Sequence, residues 1–169
     1  DRYSWISAGV IAATPLPGID LLGAAAVNAQ MVMEIGRIHG VSLSRSSAQE
    51  LAVSVGRTLA SLGVIKGGMG LISASLSVNL PTLVLSRGVQ AVGAGWLTRV
   101  AGRSFITYFQ QDQDWGDDGM QEVVQRQYDL NRRDSALKSF LSAAFNRVVE
   151  PLQRQQKQEQ LPPRPEGRR

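Results

Sequence analysis

Four short stretches carry residues that could do chemistry. In "DQDWGDDG", residues 112–119, four acids stand close together, as in a calcium loop. An EF-hand loop needs oxygen ligands at positions 1, 3 and 5, glycine at 6 and glutamate at 12. Starting from Asp112 puts Gly116 at the fifth position and Asp117 where glycine belongs. Starting from Asp114 puts Gly116 at the third position and Gln125 at the twelfth. Both registers fail, so the stretch reads as a capped loop, with Trp115, Asp117 and Asp118 as candidates for helix capping or for docking a partner. "GVIKGGMG", residues 63–70, has the glycines of a phosphate loop but not its order. Lys66 comes before the glycines, and no Gly-Lys-Ser/Thr follows. His39 is the single histidine and there is no cysteine. Disulfides and thiolate metal sites are thereby excluded, and a histidine triad has little to build on. His39 reads as a charge at a helix end or as a core residue.

The fourth stretch is "PLPGID", residues 15–20. Pro15 and Pro17 break an apolar run, Gly18 frees the backbone, and Asp20 restarts it. Asp20 is expected to cap a helix by accepting amide protons of Leu22 or Gly23. Its competing role is a charge that pairs with a partner. No serine stands at a motif spacing from a histidine or an acid, and no paired carboxylates stand out for acid–base work. The expected site inventory is therefore no catalytic, cofactor or metal residue. Pro15, Pro17, Gly18, Asp20, Trp115, Asp117 and Asp118 remain as capping or partner candidates.

Helices must position these residues, because no stretch shows a sustained period-2 alternation. The first helix is expected over about 4–13. The second follows Asp20 and ends near Ile38, with Gly40 just beyond it. Ser47 and Glu50 fit a capping box. Leu51, Val55, Leu59 and Leu62 then line one face, and the helix is expected to run on through residues 63–78. Gly63 with Gly67, and Gly70 with Ala74, make small-xxx-small spacings that let helix backbones come close. "NLP" at 79–81 stops the element. A further helix runs from Thr82 into "RVAG", and the aromatic segment "SFITYF" follows. Asp118 is expected to cap a helix carrying Met120, Val124 and Tyr128. Asp134 or Ser135 is expected to cap the last one, striped by Leu137, Phe140, Leu141, Ala144, Phe145, Val148, Val149 and Leu152.

At 169 residues the chain fits one domain with a proper core. Its charge is uneven. Residues 1–100 carry 11 charged side chains, and residues 101–169 carry 21. The reading is one all-α helical bundle over 1–152, with a Gly/Ala-rich helical hairpin part at 4–101 and amphipathic helices at 102–152. Residues 153–169 read as a polar tail, disordered or a frayed helix. The net charge of +4 is modest, and the basic residues are scattered among acids, so no nucleic-acid stripe is evident. The start shows no secretory signal. It opens on Asp1 rather than Met, and so reads as a piece of something longer.

The apolar half raises the question of a membrane. A span needs about 20 apolar residues. The longest uncharged run, 67–86, contains Asn79, Pro81 and several serines. Residues 5–33 could form a hairpin dipping into a bilayer. The alternatives are a hairpin buried in protein or one lying at the headgroups. Trp5 with Tyr3, and Trp96 near Arg99, would suit an interfacial belt or a core.

"PLPGIDLLGAAAVNAQMVMEIGRIHGV", "LASLGVIKGG", "QAVGAGWLTRVAGRSFITYF" and "QDQDWGDDGM" together resemble the YcjF-like family, a domain of unknown function that accompanies Era-like GTPases. The likeness is to the cyanobacterial form and covers roughly residues 4–152. One departure is His39, where a tyrosine is expected. The resemblance implies a membrane-associated all-helical module at the cytoplasmic face, C-terminal to a GTPase domain in the same polypeptide. GTP and Mg²⁺ would belong to that adjoining domain, and no nucleotide motif falls in this chain. The expected role is non-catalytic attachment of the GTPase to a membrane or partner. The alternative is a soluble interaction or homo-oligomerisation bundle without lipid contact.

Overall fold

The computed structural model of the chain describes residues 1–13, 19–76, 82–117 and 119–159. Their elements run in the order α1 (Arg2–Ala13), α2 (Ile19–Ile38), α3 (Arg45–Ser61), α4 (Val64–Leu76), α5 (Thr82–Gln110), α6 (Gly119–Arg132), α7 (Asp134–Ala144), a π-helical turn (Phe145–Val149) and α8 (Glu150–Glu159). Among the described residues there is no strand. The fold is all-α, as the periodicity requires.

Helix α5 is the axis of the bundle. It packs against α1, α2, α4, α6 and the π-helical turn. A helix wrapped on several sides must be apolar on several sides. Ala91, Val92, Trp96, Val100, Ala101, Phe105 and Phe109 are all buried along it. The aromatic segment expected to follow this helix is instead its last turns, so α5 spans 29 residues without a break. The shift in charge density near residue 101 therefore falls inside one helix and divides nothing. Trp96 is 1 % exposed, which makes it core rather than part of an interfacial belt.

The closest packing is between α1 and α5. A Cβ at Gly95 would stand 2.7 Å from the Ser4 carbonyl oxygen and 3.2 Å from the Ala8 Cβ. Ser4, Ser7 and Ala8 form the small buried face of α1. Within that seam the Thr98 hydroxyl donates to the Ser7 hydroxyl at 3.0 Å, which satisfies two buried polar groups with each other. The expected small-xxx-small spacings hold only in part. A Cβ at Gly63 or Gly70 would meet nothing, whereas one at Gly67 would stand 3.0 Å from the Tyr128 hydroxyl. The tightest positions are Gly93, against Met69, Gly68, against Trp96, and Gly95.

Loop chemistry sets the remaining directions. Gly40 lies at φ +79°, and the Val41 amide donates back to the Gly36 carbonyl at 2.9 Å. The Gly40 amide donates to the Arg37 carbonyl at 3.1 Å. That pair of bonds is a Schellman close of α2, with the expected glycine in place. The cap of α3 sits three residues before the expected one. Ser44, not Ser47, is its N-cap, and the Ser47 amide donates to the Ser44 hydroxyl oxygen at 3.1 Å. Replacing Ser44 with alanine is expected to cost about 1 kcal/mol in urea unfolding. An unchanged midpoint would show that the cap lies elsewhere.

The helix expected to continue past Leu62 stops there. Gly63 takes φ +69°, turning the chain between α3 and α4. The chain also stays helical past Gln153, through Glu159. Arg133 occupies the N-cap position of α7, with no side-chain bond, so Asp134 is the first residue of that helix rather than its cap. Met120, Val124 and Tyr128 face the core as expected. Phe145, expected in the last apolar stripe, is 42 % exposed. It stands where the backbone widens.

The widening has a covalent cause. In the π-helical turn the Glu150 amide donates to the Phe145 carbonyl, five residues back. Pro151 follows. A proline inside a helix has no amide to offer the carbonyl four residues earlier, and its ring crowds that carbonyl. Here that carbonyl belongs to Arg147. The wider turn relieves the crowding and keeps the helix going. Among the described residues no helix is long and apolar enough to cross a membrane.

Candidate functional site

The chemistry-bearing side chains gather where α1, α5 and α7 meet, at the N-terminal end of α1. An open cleft of about 710 Å³ lies there, with Arg2, Trp5, Arg99, Phe140 and Arg147 among its walls. Trp5 of α1 stacks on Phe140 of α7, with ring centroids 5.0 Å apart and planes 12° from parallel. The Arg147 guanidinium lies 5.0 Å from the Trp5 ring centroid, and that of Arg99 lies 5.8 Å from the Phe140 centroid. Two cations thus flank one aromatic pair. Each such contact is worth about 0.5–2 kcal/mol depending on its exposure to water.

The two arginines are held differently. Arg99 leaves α5 half-buried, with 19 % of its side chain exposed. Its Nε donates to the Asn131 Oδ1 at 3.1 Å. Asn131, itself buried, is fixed by donating its amide to the Gln127 carbonyl at 2.7 Å. The Asp1 carboxylate is 3.4 Å from an Arg99 Nη. Burial lowers the pKa of Arg99, and the neighbouring Arg103 lowers it further. A guanidinium stays charged at neutral pH all the same. Arg147 is exposed, and among the described residues no carboxylate pairs with it. Arg2 pairs with Glu34 at 3.2 Å.

A second cleft of about 350 Å³ adjoins the first and shares Arg2 and Arg99. Met31, Ile35, Ile38 and Ile106 make its apolar floor, with Arg103 on its rim. The Tyr3 hydroxyl is buried there and finds no acceptor at hydrogen-bonding distance. Burial holds its pKa above the usual tyrosine range, and Glu34 adds to that effect.

Of the capping or partner candidates that are described, neither Trp115 nor Asp117 lines these clefts, whereas Tyr3, Trp5 and Arg99, named for an interfacial belt or a core, do. Pro15, Pro17, Gly18 and Asp118 lie outside the described residues. Asp20 is the second residue of α2, inside the first turn rather than just before the helix. Its side chain lies outside the described part. Trp115 turns back onto α5, with its ring 4.6 Å from Tyr108 and 6.4 Å from Phe105. Asp117 is exposed in a loop organised by Asp114, whose carboxylate accepts the Gly116 amide at 3.1 Å. Among the described residues no group of His, Cys, Asp or Glu gathers to hold a metal ion. His39 bonds the Ile35 carbonyl through Nδ1 at 2.8 Å and stacks near Phe109, which makes it part of the α2 close.

The family model described as "Domain of unknown function (DUF697)" matches residues 1–133. The chain belongs to the DUF697 family. The match takes in α1 to α6 and ends just before α7. The cleft of this DUF697 domain is therefore completed by Phe140 and Arg147, from beyond the matched residues. No curated protein and no solved structure matches the chain. Sequence reasoning missed Arg2, Arg99, Asn131 and Arg147. One signal was available: Pro151, four residues after Arg147 inside an apolar stripe, marks a place where a regular helix must give way.

Proposed function

We propose that this DUF697 domain is a non-catalytic helical module that attaches a neighbouring Era-like GTPase domain to the cytoplasmic face of a membrane. The attachment is peripheral contact rather than insertion of a span. The observation that carries this reading is the second cleft. Its apolar floor includes Ile38, which is 79 % exposed, and Arg2, Arg99 and Arg103 stand around it, the first two paired with Glu34 and Asp1. Apolar side chains ringed by cations suit the boundary between acyl chains and anionic headgroups. The resemblance to the GTPase-associated YcjF-like family supplies the neighbour. GTP and Mg²⁺ would be bound by that neighbour, and the helices of this chain would respond to its state through packing.

Flotation of the 169-residue chain with vesicles tests the reading. Vesicles of phosphatidylcholine with phosphatidylserine should carry the chain upward, and Ile38→Asp should weaken that several-fold. A chain that stays at the bottom with both neutral and anionic vesicles, as a monodisperse monomer, would overturn attachment to lipid. Concentration-dependent dimers without vesicle binding would favour the soluble interaction bundle instead. Ile6, Val53 and Ile65, also partly exposed, would then be the faces to examine.

A further inference from the structure

The first cleft shares Arg2 and Arg99 with the second but adds Arg147 and the Trp5–Phe140 pair, which the attachment reading does not use. Three guanidiniums reach it from three separate elements: Arg2 from α1, Arg99 from α5 and Arg147 from the π-helical turn. One carboxylate, that of Asp1, opposes them at the wall. Arg2 is already paired with Glu34, so the excess is one positive charge (Arg99 and Arg147 less Asp1). Like charges gathered at a half-buried place raise the free energy of the unliganded protein, and an anion relieves that.

The orientation of the arginines adds to the argument. Stacking on a ring uses the flat face of a guanidinium and leaves its N–H edges free. Arg99 spends Nε on Asn131 and one Nη on a half-exposed Asp1, and keeps donors to spare. Arg147 spends none on any carboxylate among the described residues. Arg147 leaves the π-helical turn with its guanidinium lying over Trp5, 5.0 Å from the ring centroid. The exposed Ser139 hydroxyl lines the same wall, and Ile6 and Ala143 supply apolar surface beside it. Free donor edges converging over an aromatic pair fit a tetrahedral oxyanion with several acceptor oxygens.

We propose that the cleft between α1, α5 and the π-helical turn binds a phosphate-bearing ligand, with Arg147 and Arg99 as its principal contacts and the Trp5–Phe140 pair as its floor. The recognised group is a phosphate monoester, which a soluble phosphorylated metabolite and the headgroup of phosphatidic acid both present. The proposal does not rest on the attachment reading, because Arg147 and the Trp5–Phe140 floor belong to the first cleft alone and binding is read first with soluble anions.

Titration calorimetry of the full chain with inorganic phosphate and with sn-glycerol 3-phosphate is the first arm, and acetate is the comparison. Both phosphates should bind, with acetate at least several-fold weaker. Arg147→Gln should weaken phosphate binding about tenfold, and Arg147→Lys should weaken it less. Arg57→Gln, an equal charge change on the exposed side of α3, should leave it unaltered. Far-UV circular dichroism checks that each variant folds, and Arg147, being exposed, is a safe position to change. In the second arm, flotation with phosphatidic acid in phosphatidylcholine distinguishes the sources. Vesicle binding lost in Arg147→Gln identifies the lipid headgroup, whereas vesicle binding indifferent to Arg147 identifies the soluble ester. Phosphate binding that is absent, equalled by acetate, or weakened alike by Arg57→Gln and Arg147→Gln overturns the site, whatever phosphatidylserine vesicles do.

Discussion

Trp96→Ala should cost the fold about 3–5 kcal/mol, enough to lower the melting temperature by about 6–20 °C in a chain of this size. Trp96 heads the largest fully buried side chains. It sits where α4, α5 and α6 converge. Its ring meets Tyr128 of α6 edge-on, with centroids 5.3 Å apart. On the other side α4 comes so close that a Cβ at Gly68 would stand 2.4 Å from the indole. Removing the indole therefore empties space between three helices whose backbones have no side chain ready to fill it. The neighbouring glycine cannot swing inward, and a rigid interior collapses only in part. Urea unfolding followed by circular dichroism gives the number. A loss below about 1 kcal/mol would mean that the indole is not wedged between these helices.

The second large effect separates two glycines that look alike in sequence. Gly56 and Gly95 both lie inside helices, where alanine is intrinsically better by about 1 kcal/mol. Around Gly56 there is nothing for a methyl to touch. Gly56→Ala should therefore stabilise the protein by about 0.5–1 kcal/mol. At Gly95 the new carbon would press on the Ser4 carbonyl oxygen, which is backbone and cannot rotate away. Helix α1 must retreat from α5, stretching the Thr98–Ser7 bond and loosening Ala8. Overpacking of this kind costs about 1–3 kcal/mol. Because α1 also carries Arg2 and Trp5, Gly95→Ala should weaken phosphate binding as well as stability. If both substitutions stabilise the chain, α1 and α5 are not in the close contact described.

Much of the fold was legible, and the reason is periodicity. The stripe Val124–Tyr128 and the glycine just beyond Ile38 are local signals, and local structure obeys them; the stop expected at 79–81 lies outside the described residues. The misreadings share a cause too. Ser47 with Glu50 is a fair capping pair, but Ser44 stands one turn earlier in a run of serines, and sequence does not say which serine wins. Gly63 reads in sequence as lying inside a helix, where a small residue lets two backbones come close. A left-handed turn at that residue satisfies the α4–α5 packing instead. The sparse charge of the front part raises the question whether lipid or protein covers it. Among the described residues α5 packs against α1, α2 and α4. The cleft was least legible. Arg2, Arg99 and Arg147 are far apart in sequence, each looks like a solvated arginine, and only the crossing of α1, α5 and α7 brings them together.

The proline behind the widened turn has one more implication. The carbonyl of Arg147 is denied a partner by a missing hydrogen at residue 151, an absence written into covalent structure. Nothing that happens further along α8, whether melting, cleavage or capture of its glutamine-rich end, can supply that hydrogen. The start of the last helix is nonetheless tied to the cleft: Glu150 supplies the amide that closes the wide turn and Leu152 is buried, so only the residues beyond it can come undone without reaching the guanidinium.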